Sequence, residues 1–148
     1  PDAGELVSRG FLSFDLSSIP SGATIERVEL RFFQKRIVGD PYGALGNLVL
    51  DHVVFGGALD GSAFDTPALH SGTLAQQTQE RAWYIISDPG FVSWLQDDLA
   101  QGRGRLQLRL RFAQELDGDG EEDWVAIEPG GGSLGNQSAP QLIIVYRP

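Results

Sequence analysis

The eight residues RLQLRLRF, Arg105 to Phe112, place the tightest limit on what this chain folds into. Leu106, Leu108, Leu110 and Phe112 take the even positions, and Arg105, Gln107, Arg109 and Arg111 the odd ones. That is the period of an extended strand with one apolar and one polar face. Such a strand needs a second apolar layer to lie against, and its cationic side is expected to face water. The pattern recurs where Leu12, Phe14 and Leu16 alternate with Ser13 and Asp15, and where Val28, Leu30 and Phe32 alternate with Arg27, Glu29 and Arg31. Between these two runs, SSIPSGA combines a Pro that fixes φ with a Gly that admits positive φ, which is turn chemistry rather than a catalytic loop.

LVLDHVVF, WVAI and QLIIVY add further strands. The last is apolar on both parities, as expected of a central strand covered on both sides. RIVGDPYGALGN reads as a long irregular loop, and residues 56–81 as mostly loop. One helix is expected in SDPGFVSWLQDDLAQGRG: Ser87 or Asp88 caps it, Pro89 opens it, Phe91, Leu95 and Leu99 recur at helical spacing, and Gly102 ends it. About seven short strands with Gly/Pro-rich connections predict an all-β chain, an antiparallel β-sandwich of jelly-roll-like character with one short helix.

The 148 residues suit a single module that buries roughly two thirds of the surface its unfolded chain exposes. No apolar run approaches the ~20 residues of a membrane span, so no membrane insertion is expected. A net charge of −9 opposes phosphate backbones, so nucleic acid is not an expected partner. With no cysteine there is no disulfide framework, thiolate nucleophile or Cys-based zinc site. The opening PDAGELVSRG has no initiator Met, basic stretch or apolar core, and is read as the start of a mature product, a processed piece or an excised domain.

RGFLSFDLSSIPSGATIERVELRF, IVGDPYGALGNLVLDHVVFGG with the following LDGSAFD, LQLRLRFAQELDGDGEEDWVAIEPG and the closing APQLIIVYRP together resemble extracellular β-sandwich modules of the DNRLRE type, grouped with carbohydrate-binding module family 96. The resemblance covers most of the chain. It implies a non-catalytic accessory module on a secreted or cell-surface protein, with polysaccharide contact or adhesion in some relatives and a structural role in others. In that pattern a longer N-terminal section precedes the RGFLSFD element, whereas only Pro1 to Ser8 stands there in this chain. The expectation is a sheet completed by another segment or by a neighbouring chain, as in the subunit of a surface layer or filament that exchanges strands.

Among candidate sites, ELDGDGEEDW places Asp117, Asp119, Glu121 and Asp123 at every second position with Gly118 and Gly120 between them. Calcium takes six to eight oxygens at about 2.3–2.6 Å, and carboxylates in a tight Gly-permitted loop converge on such an ion. A twelfth-position ligand would fall at Glu128, but WVAI reads as strand and the helices of an EF-hand are missing. The competing reading is a solvated acidic turn: seven acids and no base lie between Glu115 and Glu128. Asp15, followed by Ser17 and Ser18, is expected to form an Asx turn rather than to act as a catalyst. Asp40, Asp51 and Asp65 are weak candidates for a second ion.

For sugar contact the aromatic candidates are Tyr42, Trp83 and Tyr84, with core packing as the rival fate of each. His52 and His70 stand 18 positions apart without HExxH spacing, so neither a zinc site nor a histidine base is expected. There is no GxSxG elbow for acyl transfer, and EPGGGSLGNQS lacks the GK[ST] of a phosphate loop and reads as a flexible loop. The chain is therefore not expected to be an enzyme.

Overall fold

In the computed structural model, residues 7–130 and 135–148 are described. The Gly-rich segment expected to be a flexible loop lies partly outside them. The strands are β1 (Gly10–Asp15), β2 (Thr24–Val38), β3 (Leu48–Val53), β4 (His70–Thr73), β5 (Ala82–Ile86), β6 (Arg105–Phe112), β7 (Trp124–Ile127) and β8 (Gln141–Arg147). Two helices, α1 (Pro41–Leu45) and α2 (Pro89–Ala100), accompany them.

The strands form two antiparallel sheets, as the alternation requires. Sheet A runs β1-β6-β3-β4. Sheet B is built on the long β2, with β5 along one side and β8 and β7 end to end along the other: β8 pairs Thr24 to Arg31, and β7 pairs Gln34 to Val38. Leu106, Leu108 and Leu110 of β6 and Leu48 and Leu50 of β3 face Val28, Leu30 and Phe32 of β2 and Tyr84 of β5, all buried. Phe91, Trp94, Leu95 and Leu99 bring one side of α2 into the same core. Asp88 caps that helix through the Gly90 N–H at 2.7 Å, and beyond its end Gly102 adopts a φ of +69°.

The sandwich departs from the sequence reading in three places. RIVGDPYGALGN is not wholly loop: Arg36 to Val38 continue β2 against β7, and Asp40 caps α1 through the Gly43 N–H, so the described residues hold two helices rather than one. Residues 56–81 are mostly loop, as expected, with β4 and a 3-10 turn, Gly61–Phe64, set within them. The odd face of β6 is not solvated at Gln107 and Arg109, because the connection after β3 folds across them, whereas Arg105 is exposed. Gln107 holds Phe55 N–H and the Gly56 backbone, and Arg109 donates to the carbonyls of Ala63, Phe64 and Thr66. Lastly, β8 is not central: among the described strands it bonds only β2, and Val145 and Tyr146 are exposed.

Candidate functional site

Three regions gather groups capable of binding. The acidic loop between β6 and β7 is shaped by Gly118 and Gly120, at φ +76° and +79°. Asp117 accepts from the Asp119 N–H at 3.2 Å, and Asp119 from the Glu121 N–H at 2.7 Å, so the loop is a run of Asx turns. These turns bring carboxylate oxygens of Asp117, Asp119 and Asp123 within 4.8 Å of one another. Glu121, on the same parity, is not in that group. Glu128 is sealed in the interior, 3.5 Å from Lys35, and is not in it either.

Asp123 also accepts from the Asp40 N–H at 2.6 Å, fastening the loop to the β2–α1 corner. Gly39 makes that approach possible: at φ +72°, a Cβ there would lie 2.1 Å from the Glu122 carbonyl oxygen. Three converging carboxylates are about half of the oxygens a hard cation takes, the remainder falling to backbone and water.

The second region is the outer face of sheet B. Phe33 and Trp83 are cross-strand partners and meet edge to face, with centroids 5.3 Å apart. Beside them Arg31 lies opposite Ile85, which is 58% exposed, and pairs with Glu29 at 2.6 Å. Ser87 donates to Glu29 at 3.2 Å. On the β8 side Val145, opposite Arg27, is 42% exposed.

Of the three aromatics expected at a ligand, only Trp83 lies on this face; Tyr42 and Tyr84 are corrected to the core. The Gln77 N–H donates to the Tyr84 hydroxyl at 3.1 Å, and Tyr84 and Tyr42 share a bond of 2.6 Å. Tyr42 in turn donates to Gln34 Oε1 at 2.5 Å. Burial pushes both phenols above their ordinary range, so they remain neutral donors locked into a chain. Period-2 reasoning already points Tyr84 inward, on the parity of Phe32, and Trp83 outward with Phe33.

The third region was not expected from the sequence. His52 and His70 are partners in the β3–β4 register, with rings 5.3 Å apart and 12° from parallel, beside Trp94 of α2. His52 Nε2 lies 2.9 and 3.0 Å from the two carboxylate oxygens of Asp98, and both residues are sealed, 0% and 1% exposed. Arg103 donates to Asp97 at 2.9 Å and to Asp98 at 3.1 Å. A pairing 18 residues apart is set by hairpin register, which no linear spacing motif encodes.

Asp15 forms the expected Asx turn, accepting from the Ser17 N–H at 2.9 Å, which holds its carboxyl below the usual range. Asp51 is no loop ligand: it sits fully buried between Arg109 and Arg111. A separate apolar cleft of about 280 Å³ opens between β1 and β7, lined by Phe11, Leu12, Leu48, Phe112, Trp124 and Val125 among others. Comparison with known proteins adds no relative: no family model matches the chain, and no curated protein matches it.

Proposed function

We propose that the chain is a non-catalytic β-sandwich module of a secreted or cell-surface protein, of the kind its sequence resembles, and that it contacts polysaccharide through the outer face of sheet B. One observation carries this reading. The outer face of sheet A lies under its own β3–β4 connection, whereas on that of sheet B Ile85 and Val145 are exposed and Phe33 and Trp83 are half-buried against each other. Aromatic and aliphatic surface suits the C–H faces of pyranose rings, and the Glu29, Arg31 and Ser87 groups beside it suit their hydroxyls.

Binding to a panel of immobilised polysaccharides tests this. Trp83→Ala is expected to weaken the retained polysaccharide about tenfold, the loss of one good aromatic contact. Equal retention of variant and parent, or no retention on any member of the panel, would remove the reading.

The same proposal gives the acidic loop to calcium, through Asp117, Asp119 and Asp123. Calcium at about 100 times its Kd is then expected to stabilise the fold by about 2.7 kcal/mol, seen as a higher Tm than in chelator. Asp119→Asn should abolish most of that rise. A Tm indifferent to chelator would make the loop an acidic turn only.

The margin of β8 favours a second reading, a structural subunit of a surface layer or filament. β8 carries Leu142, Ile143, Ile144 and Val145 in succession and pairs on one side only among the described strands, the arrangement that accepts a strand from a neighbour. Concentration-dependent growth in molar mass by light scattering supports this reading; a constant monomer mass counts against it.

A further inference from the structure

We propose that His52, His70 and Asp97 form a binding site for one divalent transition-metal ion of the zinc type. One ring nitrogen of each histidine and one carboxylate oxygen of Asp97 lie within 4.8 Å of one another, with His70 Nε2 at 3.9 Å from Asp97 Oδ2. The three donors come from β3, β4 and α2, so the fold itself assembles them. Two imidazoles and a carboxylate are the donor set of a borderline cation; calcium, which takes oxygens, is ill served by it.

The state of His52 is the second and independent observation. The Asp98 carboxylate only accepts hydrogen bonds, so the neutral ring places its proton on Nε2 and keeps its lone pair on Nδ1. Nδ1 is buried and has no hydrogen-bond partner among the described residues. Buried polar atoms are almost always satisfied, and His52 is one of the three residues whose donor atoms converge, so its orphaned lone pair points to a cation. Asp98 then plays the part of the carboxylate that orients a ligating histidine.

Arg103 fixes the position of the Asp97 carboxylate, donating to it at 2.9 Å. His70 is 41% exposed at the sheet edge, which gives the ion a way in and lets that ring turn towards it. The fourth position is left to water.

The test is zinc titration of the chelator-treated chain by calorimetry, with cobalt(II) absorption as a second readout of nitrogen ligation. The expected result is one zinc per chain and a visible cobalt spectrum. His70→Ala is expected to lower zinc affinity at least about tenfold, and Asp98→Asn about tenfold through the orientation of His52. His70 is an exposed edge residue, so its variant keeps the parent's circular dichroism, and Asp97→Asn provides a parallel loss with both rings in place. The proposal is overturned by the absence of zinc uptake, by equal uptake in parent and His70→Ala, or by uptake that disappears with Asp119→Asn instead.

Discussion

Asp51→Ala is expected to lower the unfolding free energy by about 3–5 kcal/mol, the usual cost of leaving a buried charge without its partner. Asp51 is 0% exposed and receives Arg109 at 2.8 Å, Arg111 at 2.9 Å and the Ser71 hydroxyl at 2.6 Å. Its loss strands two guanidinium groups at once. One of them, Arg109, also holds the carbonyls of Ala63, Phe64 and Thr66, so the connection over sheet A loosens with it. Chemical denaturation measures the difference, and at this chain length a fall in Tm of about 10 °C accompanies it. A loss below about 1 kcal/mol would mean that the cluster contributes little.

The same residue sets an acid limit. Burial alone would push the Asp51 carboxyl up, but hydrogen bonds from Arg111, Ser71 and Arg109 together outweigh it and hold the group below 3.8, its ordinary value. A depressed folded value contributes stability that is fully present above the unfolded value and is lost as pH falls through the folded one. Parent stability should therefore decline with acid below about pH 4, and the Asp51→Ala curve should lack that part of the slope. Parallel curves for the two proteins would contradict this.

Phe32→Ala is the second large effect, expected to cost about 3–5 kcal/mol through lost burial and the cavity left behind. Phe32 is 0% exposed at the centre of β2 and stacks on Tyr84 at 4.7 Å. The void would open beside the Tyr84–Tyr42–Gln34 chain, whose polar atoms depend on a fixed geometry. Denaturant titration checks the size. Phe33→Ala, one position along and on the open face, should cost about 1 kcal/mol or less, as surface changes usually do. Similar losses at both positions would argue against the assigned parity of β2.

That parity also explains how far the candidate sites were legible. Trp83 could be placed outward and Tyr84 inward once β5 was a strand, because neighbours on a strand point to opposite faces. The convergence of Asp117, Asp119 and Asp123 was legible too, since intervening glycines and a two-residue spacing are local properties. The burial of Arg109 was not: an arginine alternating with leucines looks solvated until a distant connection supplies three carbonyls and Asp51 a charge. Nor was the exposure of β8, whose apolar residues on both parities signal a covered strand wherever neighbours flank it.

By itself the sequence determined the two-layer architecture, the inward residues of β1, β2 and β6, the capped helix α2 and the acidic turn. Each of these follows from periods of two or about four residues, from caps and from turn-forming glycines, all of which act over a few neighbouring positions. Only the tertiary structure decided which strand lies at an edge, which polar face is covered and which distant side chains meet. The pairing of His52 with His70, and of both with Asp97, depends on hairpin register and on how α2 packs between the sheets. Those are set by the packing of the whole core, and no short stretch of residues carries them.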